Sequence, residues 1–422
     1  MSESPFRYGS RVSDEHFIGR KRELRRVSGR IHKGESTAIV GDPHIGKTSF
    51  LYRLMAEEKS GESENRYLSL VDTDMFGSQL RPAQFWEQAL SPIKEQMDKG
   101  KAPALVKDHY EICRKNCFGN ITLERFFTEL KKAEWQFVLL IDEFDKLLHH
   151  KILNNAEFYG GLRSLASRSG EAFTLVIASR SQISRLNQET QEFNPTGSPF
   201  FNIFGEVELP PFSEKEVNEL LFLGKEKFQT QDKKAISRLG GRHPFLLQAA
   251  ADAMWRAHED EDDKISLNRM PFVTKSLYDE LDYFFYDMWQ SWSPEIRKAF
   301  TAVGIVHQAH ILQDRFRLRE FAEELPRLAP ELSDLERKGI LAPHDRYAGG
   351  YCAEPEIMLT WLADELIKAG RTEDEFGKWV QDRGLEGVFT KGEKEKYKKA
   401  ALAVGKYLDN RIMRILEAVA GK

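Results

Sequence analysis

The chain has 422 residues, 41% hydrophobic and 11% aromatic, which excludes global disorder and leaves length for two to four domains. Its 66 acidic and 62 basic residues leave a net charge of -4, so any binding to nucleic acid or an anionic surface must rest on a local patch. Three cysteines cannot build a disulfide framework. Cys113 and Cys117 lie four apart with no matching Cys/His pair and read as packing residues. No run approaches the ~18 apolar residues of a membrane span, and the first residues hold no apolar signal core. The expectation is a soluble, cytoplasmic protein with no membrane partner.

Residues 1–15 are polar and read as a flexible tail. From 16 to 210, short apolar runs at 36–40, 67–71, 137–141, 174–178 and 207–209 alternate with longer helical patterns. Uninterrupted apolar runs suit strands buried on both faces of a parallel sheet, with helices as crossovers. After Pro210-Pro211 no strand signal appears up to residue 258. Ser213 with Glu216 three residues on is a capping box, and residues 211–258 read as a small helical unit. The acidic run at 259–263 opens a linker over 259–276. Residues 277–368 read as helices followed by a hairpin, 339–341 returning through Tyr351-Cys352 around Gly349-Gly350, and a closing helix; that order resembles a winged helix. Residues 371–422 form a small helical appendage with one apolar stripe through Leu402, Leu408, Ile412 and Leu416.

The string Gly41-Asp42-Pro43-His44-Ile45-Gly46-Lys47-Thr48 fits G-x-x-x-x-G-K-[ST], directly after a strand and before a helix. A loop in that position aims successive backbone N–H groups and the positive end of the helix dipole at one spot. The expected cradle runs from Gly41 through Ser49. Lys47 would reach the β- and γ-phosphates, and Thr48 would offer its hydroxyl to Mg²⁺.

Five apolar residues at 137–141 end in Asp142-Glu143. Carboxylates at the C-terminal end of a strand stand where open α/β sheets bind ligands. Asp142 is the candidate Mg²⁺ anchor and Glu143 the candidate base for water. Acids that merely cap the next helix would account for Asp142, but not for its conjunction with Lys47. An acid after the metal-binding Asp also marks an additional-strand P-loop protein, which fits an extra strand at 67–71 between the two motifs. The run 174–178 ends in Ser179-Arg180, and a guanidinium there suits a γ-phosphate sensor, with a surface loop arginine as the alternative.

Ile18-Gly19-Arg20, the P-loop, Asp142-Glu143, Ala178-Ser179-Arg180 and Gly241-Arg242-His243-Pro244 occur in an order that resembles STAND-type P-loop ATPases, relatives of AAA+ proteins. Ser198-Pro199-Phe200-Phe201 before the last strand resembles their prokaryotic AAA-like, or novel STAND, branch. The resemblance implies an α/β nucleotide domain over 16–210, a helical lid over 211–258 and a winged helix over 277–368. It further implies that Ile18, Gly19 and Arg20 border the adenine, that Arg180 is the sensor although Ala178 replaces the family's Thr, and that Pro244 touches base or sugar. A sensor Arg at the start of the third lid helix is not evident, which favours a switch over a ring motor.

Between residues 293 and 366 there are nine Lys/Arg and thirteen Asp/Glu, the wrong balance for neutralising phosphates. Basic stretches at 20–33 and 391–399 read as solvated helix faces. The function expected is an ATP-binding, slowly hydrolysing signal-transduction switch that cycles between ATP and ADP with Mg²⁺. Its output would be contact with a protein encoded elsewhere, or a nucleotide-dependent homo-oligomer. The alternatives are a nucleic-acid-associated AAA+-like regulator and a nucleotide-binding scaffold without turnover.

Overall fold

The computed structural model describes residues 3–60, 65–193, 195, 198–260, 269–311, 323, 325–345, 349–369, 373–383 and 395. The chain divides into two compact units: Ser13–Gly41 with Gly46–Leu209, and Met1–Val12 with Asp42–Ile45 and Pro210–Lys422.

The first unit holds five parallel strands, β1 (Thr37–Val40), β2 (Arg66–Asp72), β3 (Gln136–Asp142), β4 (Phe173–Ser179) and β5 (Gly205–Glu208), in the order β2-β3-β4-β1-β5. All seven residues of β4 are buried. Successive strand residues point to opposite faces, so unbroken burial means both faces are covered. Among the covering helices are α1 (Lys21–Ile31), α2 (Lys47–Ser60), α3 (Pro82–Ala89), α4 (Ser91–Asp98), α5 (Ala104–Lys115), α6 (Asn120–Lys132), α7 (Ala156–Arg168) and α8 (Ile183–Glu189). Phe127 of α6 stacks on Phe173 with ring centroids 4.5 Å apart, and Phe137 lies parallel to Phe173 at 6.0 Å. Gly34 has φ +68, and a Cβ there would stand 2.6 Å from the Glu171 Cα, so the turn into β1 needs glycine for both conformation and space.

Strand register aligns the ends of the sheet. Val40 pairs with Ser179, Ile141 with Ile177 and Asp72 with Asp142, so the C-terminal ends of β1, β2, β3 and β4 finish at one edge. The strand at 67–71 lies between the two motifs along the chain but not in the sheet. It is part of edge strand β2, while β4 stands between the P-loop strand β1 and the Asp142 strand β3. Lys21, Arg22, Arg25 and Arg26 of α1 are exposed, as expected of a solvated face, and two of its basic residues also bond the neighbouring chain: Arg26 donates to the Glu206 carbonyl (3.1 Å) and the half-buried Arg30 to the Ser36 carbonyl (2.9 Å).

The second unit opens with α9 (Glu214–Phe222), α10 (Thr230–Gly240) and α11 (Pro244–Glu259). The Ser213–Glu216 capping box is formed, Glu216 accepting from the Ser213 N–H at 2.8 Å. Next come α12 (Arg269–Glu280), α13 (Asp282–Ser291), α14 (Pro294–Ile311), α15 (Ala329–Arg337), the antiparallel pair β6 (Leu341–Pro343) and β7 (Tyr351–Ala353), α16 (Glu356–Ala369) and α17 (Glu373–Asp382). Arg242 grips Glu354 with two hydrogen bonds, 2.6 and 3.0 Å, and Arg238 lies 3.1 Å from Glu356, fastening the α10–α11 turn to the β7–α16 junction. Gly241 has φ +58, and a Cβ there would meet the Pro355 nitrogen at 2.9 Å.

Two of the domain assignments expected from the sequence are revised by the structure. Residues 4–8 do not form a loose tail: Phe6 is 2% exposed and stacks on Phe228 at 5.4 Å, while the Tyr8 hydroxyl donates to Glu280 at 2.6 Å. The second half of the expected linker is helical, since α12 begins at Arg269. Of the appendage, α17 is described, and residues 384–394 and 396–422 lie outside the described residues together with the apolar stripe. No helix among the described residues is long and apolar enough to cross a membrane.

Candidate nucleotide site

The site grows from the sheet edge. Where β1 ends, the Gly41 N–H donates to the Ser179 carbonyl (3.3 Å), anchoring the loop to β4. Gly46 sits at φ +98, a conformation costly for any residue with a Cβ, and the chain then enters α2 at Lys47. The N–H groups of Lys47, Thr48 and Ser49 precede the first bond of this helix, from the Phe50 N–H to the Gly46 carbonyl at 2.9 Å. The first turn of α2 carries no acid, so the positive end of the dipole is left for a ligand. Lys47 is 5% exposed, and its Nζ donates to the Gly41 carbonyl at 2.9 Å, folding the ammonium back over the loop.

Asp142 is 3% exposed at the end of β3. It accepts the Thr48 hydroxyl and, at 3.0 Å, the Glu143 N–H. Burial pushes its carboxyl up from the ordinary value, against the pull of Thr48, the Glu143 N–H and Lys47. A buried carboxylate hydrogen-bonded to a hydroxyl supplies oxygen ligands of the kind Mg²⁺ takes, and a bound cation would relieve the burial cost. The residues fit the ion.

Glu143 adopts φ 50, ψ 43, the left-handed region, which is uncommon for a residue with a side chain. The Thr73 hydroxyl holds it there, 2.7 Å from the Glu143 carbonyl and 3.1 Å from that of Asp142. Burial raises the Glu143 carboxyl, with Arg180 and Lys47 opposing. The Arg180 Nε stands 3.6 Å from Glu143 Oε2, an ion pair rather than a hydrogen bond.

Within the first unit, then, the structure brings Gly41, Gly46, Lys47, Thr48, Ser49, Asp142, Glu143 and Arg180 to one edge. Ile18, Gly19 and Arg20 form the turn that starts α1: Gly19 and Arg20 have φ 70 and 58, and the buried Arg20 offers its carbonyl to the Leu24 N–H at 2.9 Å. Asp42, Pro43, His44 and Ile45 count with the second unit, where the His44 ring lies 5.0 Å from that of Phe245. Pro244 opens α11 in the same unit. Sequence reading missed Thr73 and Asp145. Asp145 could have been found from the Asp-Glu-x-Asp spacing, whereas Thr73 is placed only by the Asp72–Asp142 register.

The walker-type ATPase PABY2304 of Pyrococcus abyssi superposes with TM-score 0.51 at 16% identity, over 85% of this chain and 99% of that one. The Aeropyrum pernix ORC2 protein, in ADPNP-ADP complexes, gives 0.46 at 14% identity over 82% and 94%, and Cdc6p from Pyrobaculum aerophilum 0.38 at 14% over 84% and 99%. Of these three only the first passes 0.5, and at such identity it bears on fold alone. No curated protein sequence matches the chain. Residues 9–312, well over half of the 422, match the AAA-like domain, and the chain belongs to that family of P-loop NTPase domains.

Proposed function

We propose that the chain is an Mg²⁺-dependent ATPase that turns over slowly and serves as a nucleotide switch of the STAND type. The observation that carries this reading is the buried Asp142 carboxylate paired with the half-buried Thr48 hydroxyl beside Lys47 at the mouth of α2. The N–H groups from Gly46 to Ser49 would cradle the phosphates, and Lys47 would swing from Gly41 to the β- and γ-phosphates. Thr48 and Asp142 would hold Mg²⁺, which when bound offsets negative charge on the phosphate oxygens. Glu143, its proton affinity raised by burial, would orient and deprotonate water.

Slowness follows from Arg180. It lies against Glu143, which lowers the basicity of that carboxylate until the guanidinium leaves for a γ-phosphate. Arg180 thus has two alternative partners, the differential contact that a nucleotide switch needs. In this reading α9–α11 are the lid, with Pro244 against the base or sugar and Ile18, Gly19 and Arg20 beside the adenine. Residues 277–368 are a winged helix, whose acidic balance over 293–366 favours a protein partner, or a second copy of the chain, over nucleic acid.

Phosphate release by the wild-type chain, Lys47→Ala and Glu143→Gln tests this. The expected pattern is slow Mg²⁺-dependent release, abolished by Lys47→Ala and stalled by Glu143→Gln with nucleotide still bound. Normal turnover by Glu143→Gln would remove Glu143 as the base. Binding without release in the wild type would favour the scaffold reading.

A further inference from the structure

The turn after β3 does more than present Glu143. Two residues on, the Asp145 carboxylate takes three donors from consecutive residues at the end of β4. Its Oδ1 accepts the Ser179 hydroxyl at 2.8 Å and the Ser181 N–H at 3.0 Å, and its Oδ2 accepts the Arg180 N–H at 2.6 Å. The Ser179 hydroxyl also lies 2.7 Å from the Ser181 carbonyl, so its single hydrogen is shared, and the Ser181 N–H is likewise divided between Asp145 and the Ser179 Oγ at 3.0 Å; the shortest of the three bonds is the one from the Arg180 N–H. Bonds from N–H groups to a carboxylate are the stronger, charge-assisted kind. Residue 180 is therefore held at both ends by one short stretch of chain: its backbone by Asp145, its guanidinium by Glu143 at 3.6 Å.

We infer that Asp145 is a positioning residue for Arg180, fixing where the sensor guanidinium can reach, and so couples the base-bearing turn to γ-phosphate recognition. The inference rests on the nucleotide-switch reading proposed for this site. Asp145 touches neither nucleotide nor water in this role; it acts through the backbone of residues 179–181. A capping residue would only stabilise the turn. A positioning residue must also alter discrimination between triphosphate and diphosphate, because that difference is what Arg180 reads. Displacements of about 1 Å in such a group are enough to lose about a hundredfold in function.

The test is a double-mutant cycle on the full chain, read as the ratio of affinities for a non-hydrolysable ATP analogue and ADP, with unfolding temperature and circular dichroism recorded for each variant. The wild type should prefer the triphosphate by a factor of about 10 or more, within the range of ordinary coupling between sites. Asp145→Ala and Arg180→Ala should each erase that preference while ADP affinity stays within about threefold, and the double variant should lose no more than either alone. Asp145→Asn keeps an acceptor at the Oδ1 position but turns a donor toward the Arg180 N–H, so it should retain part of the preference; it also serves if Asp145→Ala does not fold. Wild-type preference in Asp145→Ala, unchanged preference in Arg180→Ala, or losses that multiply in the double variant would each overturn the inference. A wild-type chain that binds neither nucleotide would instead sink the switch reading, and the inference with it.

Discussion

Thr73→Val isolates the support under Glu143. The substitution keeps the β-branched shape and removes the hydroxyl that reaches the Glu143 carbonyl at 2.7 Å. Thr73 is 5% exposed, so the abandoned carbonyls lose a partner inside the protein at a cost of about 1–3 kcal/mol. Against this stands the strain of a left-handed residue with a side chain, about 1–2 kcal/mol, which the hydroxyl offsets at φ 50. Because the two figures are comparable, losing the hydroxyl lets residue 143 relax toward the right-handed region and turns its carboxylate away. Each 1.4 kcal/mol of lost preference is about tenfold in correctly placed base, so kcat should fall by about 10- to 100-fold. KM for Mg·ATP should change by less than about threefold, since Lys47, Thr48 and Asp142 are untouched. Urea unfolding should report a loss of about 1–3 kcal/mol, and Thr73→Ser should restore both stability and rate. If Thr73→Val loses stability yet keeps the wild-type kcat, the hydroxyl supports the fold alone and does not set the position of the Glu143 carboxylate.

Other predictions concern the second unit. Burial pushes the Glu356 carboxyl from 4.5 up to about 7, with Arg238 opposing only in part. The folded chain thus holds this proton more tightly than the unfolded chain, so the contribution to stability is intact below 4.5 and is lost as pH rises through about 7. Glu356→Gln should therefore gain about 1–3 kcal/mol at about pH 8 and nothing near pH 4, by urea unfolding at both; equal effects at the two pH values would contradict the sign. Phe6→Ala removes a ring that is 2% exposed and stacked on Phe228, and should release the segment around it. The Arg7 amide, bonded to Gln248 at 3.1 Å, should then exchange with deuterium at least about tenfold faster, whereas unchanged protection would mean Phe6 does not anchor it.

The parts of the site that were legible in sequence are those whose chemistry is local. The P-loop is a contiguous string whose glycines, lysine and threonine sit between a strand and a helix, so reading it needs no knowledge of the sheet. Asp142-Glu143 and Arg180 were found because each terminates an apolar run. Thr73 was not: a single threonine after an edge strand carries no signal until β2 pairs with β3 and sets Asp72 beside Asp142. Strand order is likewise a long-range property: the strand at 67–71 lies between the two motifs along the chain, whereas in the sheet β4 stands between β1 and β3, an order the chain sequence does not express. Residues 4–8 misled for a different reason. Their composition is polar on average, and burial there depends on two aromatic rings meeting Phe228, Phe245 and Trp255, which lie more than 200 positions away in sequence.

The switch reading stands on Lys47, Thr48 and Asp142 acting together on one Mg²⁺-bound triphosphate. Calorimetric titration of a non-hydrolysable ATP analogue into the wild-type chain, Lys47→Ala and Asp142→Asn, each with and without Mg²⁺, probes that cooperation without intermediate steps. The wild type should bind tightly and more weakly once Mg²⁺ is removed, Lys47→Ala should show no detectable binding, and Asp142→Asn should bind without responding to Mg²⁺. Equal affinity in all three proteins, indifferent to the metal, would refute it.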